Sequence, residues 1–221
     1  PLAERMRPRE LEDYVGQQHL LGPGKVLTRA IEGDRIPSMI FWGPPGTGKT
    51  TLAYLIARKT QKHFIQFSAV TSGIADLRKA IAQAKALKKK SDRATILFVD
   101  EIHRWNKAQQ DAFLPHVEAG TVILIGATTE NPSFEVISAL LSRCRVFTLR
   151  RLTEAEIRSI IDRALKDLAH GLGHEALEIE PAALDFLAER ADGDARRGLN
   201  YLHLSAQMVL QDRGKTITLA I

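Results

Sequence analysis

The chain has 221 residues, 44% of them hydrophobic and 26% charged, the balance of a globular protein long enough to bury a real core. No apolar run approaches the roughly 20 residues of a membrane helix, no charged-then-apolar leader opens the chain, and the single Cys144 excludes an internal disulfide. A cytoplasmic protein is expected, and the formal net charge of +5 favours a polyanionic partner without naming one.

Short apolar runs alternate with helical periodicity, which predicts an α/β fold on a mostly parallel, five-stranded sheet. Strands are expected at 38–42, 63–67, 95–99, 122–127 and 145–149. Between the second and third, residues 74–88 read as a helix, with Ile74, Leu77, Ile81 and Ala84 at helical spacing. After Leu152 the pattern is helical only. Thr153 and Glu156 form a T-x-x-E capping box, Pro181 suits a first helical turn, and "DGD" (192–194) precedes a last helix at 195–211. The expected division is an α/β domain at 1–151 and a small all-helical lid at 152–221. The sequence starts at Pro1 and stops inside the β-branched run "KTITLAI", so a longer protein is expected.

"GPPGTGKTT" (Gly43–Thr51) fits G-x-x-x-x-G-K-[ST], with an apolar strand before it and a helical run after it. Gly43, Gly46 and Gly48 allow backbone angles and close approach that side chains would block. Such a loop aims its N–H groups and a helix N-terminus at the β- and γ-phosphates. Lys49 adds a point charge and the Thr50 hydroxyl suits Mg²⁺. Pro44 and Pro45 stiffen the loop, and Thr47 and Thr51 complete the expected ATP contacts. The chemistry is nucleoside triphosphate binding.

A phosphate-loop site also needs a carboxylate for the metal and a group that orients the attacking water. "ILFVDEIHRW" (96–105) supplies both: Asp100, ending an apolar strand, for the metal, and Glu101 for the water. The letters D-E-x-H also mimic a helicase box. That reading fails, because the remaining chain is too short and too helical for a second lobe. His103 then reads as a structural or interface residue rather than a catalytic one. Metal ligation by His103, His116 and Cys144 has no supporting spacing.

"RMRPRELEDYVGQQHLLGPGK", "SAVTSG", "DEIHRWNKAQQDAFLPHVE", "GATTENPSFE" and "LLSRCRVF" together span nearly all of the chain. They resemble the AAA+ ATPases, within them the clamp-loader and Holliday-junction-motor branch, and most closely the RarA family (also called MgsA), relatives of the Werner-helicase-interacting protein. The resemblance implies an ATP hydrolase using ATP and Mg²⁺. Thr129 matches sensor 1, with Thr128 a rival, and Arg143 the arginine finger that enters a neighbouring subunit's site. Arg196 matches sensor 2, with Arg197 a rival, and Tyr14, Val15 and Gly16 the adenine pocket. It further implies work on DNA at stalled replication forks or single-strand/double-strand junctions, in recombination and repair. Expected partners are DNA, copies of the full-length chain through a C-terminal region beyond 221, single-stranded-DNA-binding protein and replisome components, near the nucleoid if bacterial. A clamp-loader subunit and a nucleotide-controlled adaptor are the alternative readings.

For DNA, the sequence offers Thr71 and Ser72 at the start of the 74–88 helix. Arg78, Lys85 and Lys89 are expected on one face, opposite the Ile74/Leu77/Ile81 stripe. Hydroxyls and N–H groups there would hold backbone phosphate without reading sequence. Trp105 is expected to be buried against the sheet rather than to stack on a base.

Overall fold

The computed structural model describes residues 1–219; residues 220 and 221, the end of the expected lid, lie outside the described residues. Strands β1 (Met39–Trp42), β2 (His63–Ser68), β3 (Thr95–Asp100), β4 (Val122–Thr128) and β5 (Arg145–Thr148) form one sheet in the order β2-β3-β4-β1-β5. Every neighbouring pair is parallel. Each expected strand is present with its ends within one residue.

The uninterrupted apolar run of β3 has a physical cause. Ile96 and Phe98 bury among Leu52 and Ile56 on one face, while Leu97 and Val99 bury among Leu77 and Ile81 on the other. A parallel strand covered on both faces has no polar side to show. Each such fully buried side chain contributes about 1.5–3 kcal/mol of transfer free energy. The register aligns Trp42 with Thr128 and Val99 with Gly126. Gly43 and Thr129, which follow β1 and β4, and Asp100, which ends β3, therefore emerge together at the carboxyl edge of the sheet, where open α/β sheets bind ligands.

Helix α1 (Lys49–Lys59) leaves the glycine-rich loop and α2 (Ile74–Ser91) links β2 to β3. The core face of α2 is Leu77, Ala80, Ile81 and Ala84. Ile74 departs from the expected stripe. It is 40% exposed, and with Arg78, Ile81 and Lys85 it follows a continuous i, i+4, i+7, i+11 ridge. Arg78 and Lys85 thus share a groove with Ile74, Leu77 and Ile81 instead of opposing them.

The lid contains α3 (Glu154–Lys166), α4 (Pro181–Ala191) and α5 (Ala195–Gln211). The capping box is formed: the Thr153 N–H donates to Glu156 Oε2 at 2.8 Å and the Glu156 N–H to Thr153 Oγ1 at 3.2 Å. The lid is not all helical, however. β6 (Glu178–Ile179) and β7 (Thr216–Ile217) pair in parallel, with Ile217 buried in the lid core. Two-residue strands are too short to carry a period of two, so no alternation marks them in the sequence. Leu2 and Met6, at the N-terminus, insert into that same core beside Ile157, Ile161 and Leu202. Among the described residues, no helix is long and apolar enough to cross a membrane.

Candidate functional site: a cavity between sheet edge and lid

The loop after β1 takes its shape from two left-handed glycines, Gly46 (φ +70°) and Gly48 (φ +93°). A Cβ at Gly46 would overlap the Asp194 carboxylate from the lid, and one at Gly48 would overlap the Tyr14 ring. Lys49 is buried, and its Nζ donates to the carbonyls of Gly43 and Pro44, both at 2.7 Å. Desolvation holds its pKa below the ordinary value, Glu101 and Asp100 oppose that, Arg196 adds to it, and Asp194 opposes it. The lysine is thus a desolvated cation folded onto loop carbonyls, and an anion beside it would favour its charged form.

One cavity of about 490 Å³ joins these parts. It is lined by Pro45 through Thr51 of the loop, by Asp100 and Glu101 after β3, by Thr129 after β4, by Arg196 at the start of α5, and by Tyr14 and Val15. Of each rival pair the cavity takes one member. Thr128 is fully buried, its Oγ1 2.9 Å from His103 Nδ1 and accepting from the Glu130 N–H at 3.0 Å. Arg197 instead gives its backbone N–H to the Asp194 cap of α5 at 3.0 Å.

Three expected contacts do not line the cavity. Gly43 and Pro44 lie beneath it, offering carbonyls to Lys49. Gly16 (φ +86°) lies behind the wall, where an added Cβ would come 2.5 Å from Leu152 Cδ2. Its role here is the close approach of the N-terminal arm to the base of the lid. Tyr14 is held by its hydroxyl, which donates to the Thr47 carbonyl at 3.1 Å, and burial raises its pKa.

Glu101 adopts a left-handed backbone (φ +55°, ψ +44°), unusual for a residue with a side chain and a form of strain that gathers at functional sites. Its N–H donates to Asp100 Oδ1 at 3.1 Å, and its Oε2 lies 3.2 Å from His103 Nε2. Asp100 and the Thr50 hydroxyl present hard oxygen donors to one cavity, a donor set that fits Mg²⁺ completed by phosphate and water.

Arg143 lies outside this cavity. It follows the short helix Ser138–Leu141, donates to Ala139 O at 2.6 Å and Ser142 Oγ at 3.1 Å, and pairs with Glu118. Among the described residues, its partners are those of its own turn and Glu118, and none of them lines the cavity. Thr71, Arg78, Lys85 and Lys89 are exposed and Ser72 is half-buried. The start of α2 is already partly satisfied, since the Gly73 N–H donates to Asp76 Oδ2 at 3.0 Å. That acid occupies one of the N–H groups expected to hold phosphate. Trp105 is buried and stacks on Phe113 with centroids 4.8 Å apart.

Sequence reasoning missed part of the wall: Met6, Arg7 and Pro8 from the N-terminal arm, and Ile160, Arg163 and Asn200 from the lid. It also missed Gln17, whose side-chain amide accepts from the Arg150 N–H at 2.9 Å and donates to the Arg150 carbonyl at 2.7 Å. That pair ties the arm to the segment joining sheet and lid. The signal "RMRPRELEDYVGQ" was visible, but which of its residues face the cavity depends on tertiary packing.

Residues 39–152 match the model of the ATPase family associated with various cellular activities (AAA). The chain is 57% identical to replication-associated recombination protein A of Haemophilus influenzae, over 98% of its own length and 49% of that protein. It is 46% identical to ATPase WRNIP1 of Dictyostelium discoideum over 93% of its length and 23% of that protein. The chain thus spans about half, or less, of these relatives. Among solved structures it resembles the Thermotoga maritima RuvB Holliday junction branch migration motor, with a TM-score of 0.77 and 28% identity, covering 97% of this chain and 70% of that one.

Proposed function

The chain belongs to the AAA family of ATPases and carries that family's ATP-hydrolysing domain, and from that premise we propose that it is a DNA-dependent ATPase. Its place of action would be stalled replication forks or single-strand/double-strand junctions in replication-coupled recombination and repair. The observation that carries this reading is the single cavity shared by the phosphate loop, both acids after β3, Thr129 and the lid's Arg196.

In the proposed mechanism, the adenine lies against Tyr14 and Val15, and the phosphates take the loop N–H groups. Lys49 exchanges its two loop carbonyls for β- and γ-phosphate oxygens. Magnesium held by Thr50 and Asp100 would neutralise charge developing on those oxygens. Glu101 orients the attacking water, while Thr129 and Arg196 contact the γ-phosphate. Arg143, which does not line its own cavity, completes the site of a neighbouring subunit. Loss of the γ-phosphate releases Arg196 and, with it, the lid, a domain closure of a common kind.

DNA as partner rests on the names of the relatives, which speak of recombination and Holliday-junction branch migration. The exposed Arg78, Lys85 and Lys89 offer sequence-independent phosphate contacts. The reading extends to a homo-oligomer, to single-stranded-DNA-binding protein and replisome components as partners, and to a cytoplasmic, nucleoid-associated location if bacterial.

Glu101→Gln tests the reading. It keeps the shape of the side chain, so ATP binding is retained while turnover falls at least about 100-fold, and the arrested protein holds junction DNA in ATP. A variant that hydrolyses normally removes Glu101 from the mechanism. A variant that holds a protein partner but never DNA makes the chain a nucleotide-controlled adaptor.

A further inference from the structure

We infer that His103 is a positioning residue that fixes the Glu101 carboxylate and links it to the end of β4; the inference rests on the ATPase reading above. His103 sits in a short 3-10 turn, Ile102–Arg104, directly after the two acids, its side chain 10% exposed. Its Nε2 lies 3.2 Å from Glu101 Oε2 and its Nδ1 2.9 Å from Thr128 Oγ1. Both ring nitrogens are therefore committed, one to the water-orienting acid and one to β4. Thr128 is itself pinned, with Oγ1 accepting from the Glu130 N–H at 3.0 Å and standing 3.2 Å from the Glu130 carbonyl.

Proton counting restricts what this chain of contacts can be. A bare ring nitrogen against a carboxylate would set two acceptors face to face, so Nε2 carries a proton and donates to Glu101. Two arrangements then satisfy the other side. With a neutral ring, Nδ1 accepts from the Thr128 hydroxyl. With a charged ring, the Nδ1–H donates to Thr128 Oγ1, and that hydroxyl turns to the Glu130 carbonyl. In both, the imidazole orientation is set at Thr128 and used at Glu101. This is the logic by which an outer partner orients a reacting group.

The link has a mechanical reason to exist. Glu101 stands on a left-handed backbone and its side chain is 36% exposed, with the His103 ring against its carboxylate. Thr129, which lines the cavity, is the residue after Thr128. A γ-phosphate drawn to Thr129 therefore acts one residue from the anchor of His103. His103 touches neither the nucleotide cavity nor a metal donor atom, which separates positioning from binding.

The test measures steady-state ATP turnover and nucleotide affinity for the wild type, His103→Ala, His103→Gln, Thr128→Val and the His103→Ala/Thr128→Val pair. Thr128→Val keeps the buried volume, and a thermal melt of each variant registers folding. The expected result is a 10- to 100-fold loss of kcat in His103→Ala, with KM and nucleotide affinity within about twofold of wild type. His103→Gln, whose amide can still donate, recovers part of the loss. Thr128→Val lowers kcat several-fold alone and adds nothing on the His103→Ala background, the mark of one shared pathway. A kcat within twofold of wild type in His103→Ala overturns the inference, as does a rise in kcat, which would make His103 a restraint on Glu101. Additive losses in the double variant break the link to β4. A wild type that binds ATP without turnover overturns the ATPase reading instead, so the two failures are told apart in one data set.

Discussion

The Nζ of Lys49 lies 2.7 Å from the carbonyl oxygen of Gly43, inside the turn that the lysine is meant to serve. A second bond of the same length goes to Pro44. Binding a triphosphate exchanges these two neutral acceptors for anionic ones, and charge-assisted bonds are roughly twice as strong. Lys49→Ala is therefore expected to weaken ATP binding about 10- to 100-fold, measured by titration of a fluorescent ATP analogue. Unchanged affinity would mean that the lysine stays on its carbonyls.

Gly46 is constrained twice, by its left-handed backbone and by the Asp194 carboxylate packed against it, while the Ala195 N–H donates to its carbonyl at 3.1 Å. The residue touches the lid as well as the phosphate site. Gly46→Ala costs about 1–2 kcal/mol in backbone conformation and also displaces Asp194. It should therefore cut ATP affinity and speed amide hydrogen exchange at the start of α5. A change confined to the loop would separate Gly46 from the lid.

Arg143 pairs with Glu118 and does not line its own cavity. Arg143→Ala should leave ATP affinity intact while lowering turnover on the order of 1,000-fold, the range seen when an arginine finger is lost. Mixing it with Glu101→Gln should restore some turnover, because a mixed assembly contains sites with both groups intact. Mixtures as inactive as their components would place Arg143 outside the mechanism.

The Thr153–Glu156 box is expected to stabilise α3 by about 1 kcal/mol. Thr153→Ala should shift the urea midpoint downward with little change in slope, followed by circular dichroism.

Burial pushes the Cys144 thiol up to about 12. In the unfolded chain a thiol ionises near about 8.5, so the unfolded state loses its proton first as pH rises. The stabilisation is complete below about pH 8.5 and disappears as pH climbs through the folded value. Thermal stability should therefore fall from roughly pH 9 upward, and less steeply in Cys144→Ala. Tyr14, also raised by burial, contributes with the same sign.

What the sequence made legible follows from where information is local. The ends of β3 and β4 were readable because these strands are almost wholly buried, giving near-continuous apolar runs. The start of α5 was readable because "DGD" before it breaks the helical pattern. The phosphate loop and both acids lie in short contiguous motifs. The unread parts are non-local. Ile74 looked like core because it continues a helical period, yet it is 40% exposed while Leu77 in the same turn is buried. The β6–β7 pair joins residues far apart in the chain, and Arg7, Arg163 and Gln17 meet the site only through packing of the arm on the lid. His103 was read as a structural or interface residue, and its distance to Thr128 becomes visible only once β3 and β4 lie side by side.

The most direct measurement is ATP turnover per subunit as protein concentration is raised, with and without a DNA carrying a single-strand/double-strand junction. The account predicts that turnover per subunit climbs with concentration, as each cavity gains a neighbour's Arg143, and climbs further with the junction DNA. Turnover that is flat in concentration and indifferent to DNA would contradict it, leaving each subunit a self-contained nucleotide switch.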